Sequence, residues 1–314
     1  MMMRILALIA ILGATMAFQG NYATSLLIVI GLQALPAIGL ALLTGYTGQI
    51  SLGHAAFYGL GAYTAAILSR DIGISAWADI VAAGVIVAVL AWAIGWLVFR
   101  LQGHYLAMAT LAFGIIVHVG LVEMRGLTGG PNGLTGIPPL SLFGKSLTSD
   151  FAVCIVVWCV CIAVIVLSEN LIRSPIGLTM RAISESERVA GSIGNDVQAI
   201  KRMVMMLSGL FAALAGALYA HYIGYLSPGP FDVGFSVRLL LMVAVGGFAN
   251  VWGVLFGVAF VTLVGEGLKA LGAYDVIAYG VLLVVSVIFF PRGLLHALGQ
   301  LIGRKAIERK VAST

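Results

Sequence analysis

Between Gly45 and Gly61 the chain reads GYTGQISLGHAAFYGLG, and the side chains it offers for chemistry are Gln49, Ser51, His54 and Tyr58, with Tyr63 just beyond. All can exchange hydrogen bonds without carrying a fixed charge, which suits the reversible passage of a neutral or zwitterionic solute. The interleaved glycines let backbone leave helical geometry or approach a neighbour closely. The same composition also suits plain packing at a helix crossing, and both readings stand here. His54 alone fits a buried, hydrogen-bonded imidazole as well as a ligand contact. A second glycine-rich break, GGFANVWG from Gly246 to Gly253, echoes the first as Gly247-x5-Gly253 against Gly48-x4-Gly53.

Other chemistries lack their residues. No Gly-x4-Gly-Lys-Ser/Thr loop occurs, so the chain has no nucleotide-hydrolysing motif of its own. His54, His104, His118, His221 and His296 are too scattered for a metal site, and Cys154, Cys159 and Cys161 share one apolar run. No metal or cofactor is therefore expected on this chain. Every Asp, Glu, Lys and Arg, including Asp79, Glu266 and Lys269, is read as lying in a loop or near a span end. That reading disfavours a proton relay of the kind secondary carriers bury within a span.

The elements that must position these groups are membrane helices. Hydrophobic residues make up 61% of 314 and charged residues 9%, where a soluble chain carries roughly a quarter charged. Spans are expected at 5–20, 23–43, 50–69, 77–99, 104–122, 151–169, 203–222 and 275–290, with 236–270 a broken or re-entrant helix pair. The expected fold is an all-α polytopic bundle of about eight continuous spans plus that pair, forming one domain over 1–314. The N-terminal run after Arg4 resembles a cleavable signal, but a retained signal anchor suits a polytopic chain better.

One long polar interval, Arg173 to Arg202, breaks this pattern with five basic residues, Arg173, Arg181, Arg188, Lys201 and Arg202. Basic loops stay on the cytoplasmic side. Fixing 173–202 inside puts 123–150 and 223–235 outside and the N-terminus inside. Provided that 236–270 begins and ends on the outer side, it puts the tail 291–314 with the C-terminus inside as well. Twelve of the seventeen Lys and Arg residues then fall inside, against Arg70, Arg125, Lys145, Arg238 and Lys269 outside. That bias also accounts for the net charge of +5 without a nucleic-acid partner. Within the interval, Ser184–Gly194 is expected to form a short helix with Glu185, Glu187 and Arg188 in water, closed by Gly194-Asn195. Such a helix is either a solvated connector or a docking element for a soluble partner. The loop 123–150, rich in turn residues, is either a flexible connector or a contact for an external binding protein.

Four stretches in order, GYTGQISLGHAAFYGLGAYTAAIL, SPIGLTMRAISESERVAGSIGND, LSGLFAALAGALYAHY and VGGFANVWGVLFG, resemble the M-type permease of branched-chain amino-acid ABC importers. The likeness extends over roughly Leu35 to Gly293. It implies a permease subunit of the bacterial inner membrane, working in lipid with a second homologous permease, two cytoplasmic ATPases that bind ATP and Mg, and a periplasmic binding protein. The solute would be a branched-chain or related amino acid. Relatives carrying urea or short amides, and a self-sufficient secondary carrier, are the alternatives. By the same resemblance Glu185, Glu187, Arg188, Ala190, Gly191 and Gly194 would form the helix that couples to an ATPase. Gly48, Gln49, Ser51, Gly53, His54 and Asn250 would line the solute path.

Overall fold

The computed structural model describes residues 21–142, 145–147, 149–268, 280, 281 and 284. The expected span 5–20, most of the expected span 275–290, the tail 291–314 and both termini lie outside the described residues.

Ten helices longer than one turn carry the architecture of the described part: α1 Asn21–Ala41, α2 His54–Asp71, α3 Ala76–Val98, α4 His104–Glu123, α5 Asp150–Arg173, α6 Pro175–Glu185, α7 Glu187–Ser192, α8 Val197–Ile223, α9 Val233–Gly246 and α10 Val251–Leu268. Five segments among the described residues are long and apolar enough to cross a bilayer: α1 with the turn that follows it, α3, α4, α5 and α8. Helices α9 and α10 are shorter, and they fill the interval expected to be a broken pair.

Contacts between helices give their directions. Ser25 meets Asp150 and Gly31 packs on Val157, so α1 and α5 run parallel. His54 meets Ser208 and Gly61 lies against Ala213, so α2 and α8 also run parallel. Asp79 meets His221 and Phe99 meets Gln198, so α3 runs antiparallel to α8. All these helices therefore share two ends. One, the loop end, gathers 46–54, 98–104, 173–197 and 247–250, and the far end gathers 71–76, 123–142 and 223–226. This alternation agrees with the parity inferred from the basic residues.

Two features depart from a simple bundle. After α1 the chain continues as a π-helical turn, Leu42–Tyr46, and then an irregular strip before α2 begins at His54. Because His54 meets Ser208, eleven residues into α8, α2 begins roughly 16 Å above the start of α8. At the other side, Phe231 packs on Gly59, and the amide of Ala55 donates to Ser236 Oγ of α9 at 3.0 Å. The strip 224–232 thus dips inward from the far end, and α9 also starts at depth and runs to the loop end. Irregular backbone at such depth survives only where protein covers it. Here the covering groups are the hydroxyls of Thr110 (to Leu52 N, 3.0 Å) and Ser236.

Small residues set the close crossings. A Cβ on Gly61 would overlap the backbone of Ala213, and one on Gly246 would overlap the carbonyl of Gly253. The tight α9–α10 hairpin turns at Gly247, whose φ of +97° favours glycine. At the far end part of the loop 123–150 is folded onto the bundle: Leu134–Thr135 pairs antiparallel with Tyr225–Leu226, and Leu134, Ile137 and Leu140 are buried.

Candidate functional site

The polar interval forms two helices where one was expected over Ser184–Gly194. Ser186 takes an extended conformation (φ −161°, ψ 112°), ending α6, and its hydroxyl then accepts from Val189 N to cap α7. The placement of Glu187 in water is also corrected. Its carboxylate turns inward, forms an ion pair with Lys201 of α8, and accepts from Gln49 Nε2 at 3.0 Å. Lys201 is fully buried, with its ammonium 5.7 Å from the Phe99 ring. A buried ammonium needs such a partner, since leaving it alone in low dielectric is severely unfavourable. One carboxylate thus ties α7, α8 and the strip after α1 together.

The outward side of the interval keeps a different chemistry. Glu185, Arg188, Gly191 and Gly194 are exposed, while Ala190 is fully buried against the bundle. Beside them Leu178, Val189 and Ile193 are each at least 60% exposed. Apolar side chains rimmed by charge at the end of a membrane bundle make a surface suited to a protein partner.

The residues expected along a solute path separate into three places. Gly48 and Gln49 lie at the loop end, in the wall of a cavity of about 290 Å³ shared with Ser184, Glu185 and Glu187. Gly48 has φ +70° and approaches the backbone of Ser184, so a side chain there would meet α6. Ser51, Gly53 and His54 are buried higher up. The His54 ring is held by Ser51 Oγ (3.1 Å, Nδ1) and Ser208 Oγ (2.5 Å, Nε2), and a Cβ on Gly53 would strike the Thr110 carbonyl region. Asn250 sits elsewhere again, exposed at the hairpin turn beside Glu169, Arg173 and Arg181. Its Oδ1 accepts from Trp252 N and Gly253 N, so it caps α10.

The two glycine-rich breaks do meet. A Cβ on Gly45 would overlap the carbonyl of Phe248, and Tyr46 Oη donates to the Ala249 carbonyl at 2.8 Å. The strip after α1 is therefore packed directly on the α9–α10 hairpin turn.

Ionisable groups expected in loops or near span ends do lie near helix ends, but several are drawn into the bundle. Lys201 is buried as described. Asp79 and His221 are at helix ends but wholly buried, with Nε2 2.9 Å from Oδ1 and Nδ1 donating to the Pro138 carbonyl at 2.8 Å. Arg238, counted on the outer side near the start of 236–270, lies in the second turn of α9, two residues beyond the Ser236 that receives Ala55 N. A single basic residue within the apolar run SVRLLLMV was the available signal, because ionisable groups inside spans are seldom incidental.

Comparison with known proteins gives the family. The family described as "Branched-chain amino acid transport system / permease component" matches residues 22–288. The high-affinity branched-chain amino acid transport system permease protein LivM of Salmonella typhimurium is 32% identical over 281 residues, 82% of this chain, and LivM of Escherichia coli K12 has the same values. The matched chain spans 66% of the length of these LivM relatives. LivH of Salmonella typhimurium is 27% identical over 304 residues, covering 88% of this chain and 92% of LivH. No solved structure matches.

Proposed function

The chain belongs to the family of branched-chain amino acid transport system permease components, and from that premise we propose that it is the membrane-spanning subunit of an ATP-driven importer for branched-chain or related amino acids. The partners in this reading are a second, homologous permease, two cytoplasmic ATPases that bind ATP and Mg, and a periplasmic binding protein. The bundle is a single permease domain of the inner membrane, its loop end cytoplasmic and its far end facing the binding protein. The chain itself makes and breaks no covalent bond.

The observation that carries this reading is the bond of Glu187 to both Lys201 and Gln49. It makes the polar interval a handle rather than a loose connector. ATP binding closes the partner ATPases, and the exposed rim of Glu185, Arg188, Val189 and Ile193 moves with the cleft that grips it. Ala190, packed inward, and the Ser174 and Ser186 caps keep α6 and α7 rigid under that load. Displacement passes through Glu187 and the Gly48–Ser184 contact to the strip 47–53, and through Gly45 and Tyr46 to the hairpin turn. Access alternates because the nucleotide-bound partner stabilises one arrangement of these joints over the other.

Reconstitution of the complex in liposomes tests the proposal. ATP-dependent uptake of labelled leucine that needs both the ATPases and the binding protein is expected. Uptake by this chain alone under an ion gradient would instead make it a self-sufficient carrier, and uptake of urea or a short amide in place of leucine would change the solute class.

A further inference from the structure

Toward the far end the bundle holds a second cavity of about 290 Å³, walled by Leu32 and Gln33 of α1, Tyr58 of α2, Tyr219 of α8, and Phe235 and Arg238 of α9. Tyr219 lies eleven residues beyond Ser208 on α8, so this wall residue stands roughly 16 Å beyond the level of His54 toward the far end. It sits where the inward dip of 224–232 gives way to the first turn of α9.

Its walls divide by chemistry. Arg238 supplies a guanidinium whose planar fork matches a carboxylate, and its Cζ is 5.8 Å from the Phe235 ring. The α9 N-terminus adds a partial positive charge at the same side. Tyr58 and Tyr219, with ring centroids 5.8 Å apart, offer π faces and phenolic oxygens to an ammonium. Gln33 is held in orientation by Thr262, whose hydroxyl donates to its Oε1 at 2.9 Å. Leu32 and Phe235 provide apolar surface. The volume is at the small end for ligand pockets, which suits one small solute.

We propose that this cavity is the station at which a small α-amino acid rests within the membrane, with Arg238 taking its carboxylate. The proposal rests on the permease reading above and adds to it the residue that selects for a free carboxylate. Ionisable groups inside membrane spans are seldom incidental, and neither the Glu187 latch nor the His54 joint uses Arg238.

The test uses the complete importer in proteoliposomes, with labelled leucine uptake and ATP hydrolysis measured together. Arg238→Gln is expected to lower leucine moved per ATP hydrolysed by about ten- to a hundredfold while hydrolysis stimulated by the binding protein persists, since a charge-assisted contact is lost. Arg238→Lys should recover part of that loss. Should Arg238→Gln fail to assemble, Tyr219→Phe serves: a several-fold rise in the KM for leucine at unchanged complex yield supports the station. Wild-type transport per ATP in Arg238→Gln, or an unchanged KM in both Arg238→Lys and Tyr219→Phe, overturns it. A wild-type importer that carries urea or an amide but no amino acid removes this station while leaving the permease reading intact. A wild-type complex with no ATP-dependent uptake removes the permease reading itself.

Discussion

Helices α2 and α9 both begin inside the bundle and run to opposite ends, yet the ground around their first turns differs. The start of α2 is sealed: His54 is fully buried between two serine hydroxyls, Gly53 abuts Thr110, and Gln49 below it is tied to Glu187. The start of α9 borders a cavity and places Arg238 at its wall. The glycine-rich, hydrogen-bonding stretch is thus built as a joint, whereas the plainer apolar run carries the charge beside open space. In the transport reading proposed above, the mutually satisfied side chains at α2 pass on motion, and those lining the cavity at α9 meet the solute.

Substitutions can break or sharpen this contrast. The largest effect is expected at the base of the joint. Glu187→Gln leaves the Lys201 ammonium buried without its partner, at a cost of about 3–5 kcal/mol in stability. Thermal unfolding in detergent should show a lower midpoint, and the double variant Glu187→Gln with Lys201→Met should regain most of it. Equal midpoints for wild type and Glu187→Gln would show that the latch does not hold the loop.

Next, His54→Ala strands two buried hydroxyls, on the order of 2 kcal/mol. A stability loss with an unchanged KM for leucine fits a joint. A KM change at full stability would move the solute path back to α2. Smallest is Asn250→Ala, which removes the cap of α10 and about 1 kcal/mol with no change in solute preference. Altered preference would mean that the hairpin turn meets the solute.

How much of this was legible depends on whether a feature is local. Helices α3, α4 and α5 fall within a few residues of the apolar windows 77–99, 104–122 and 151–169, because hydropathy is a property of contiguous residues. The break at 246–250 was equally plain from its glycines. Sequence periodicity could not show that Glu187 faces inward, since its helix was read as a surface helix and its partners are 14 and 138 residues away. Asp79 and His221 are 142 residues apart, and nothing near either one names the other. For Arg238, an apolar window that begins at 236 makes the residue look terminal. The structure shows the chain already at depth by Phe231.

The claim on which the transport account turns is that 174–196 is a handle held from the cytosol by a separate ATPase. Its most direct test is modification of Val189→Cys by a membrane-impermeant thiol reagent, in a chain whose Cys154, Cys159 and Cys161 are replaced by alanine. The account predicts labelling in inside-out vesicles alone, and protection when the ATPase subunits are bound. Labelling in right-side-out vesicles, or labelling that bound ATPase leaves unchanged, would contradict it.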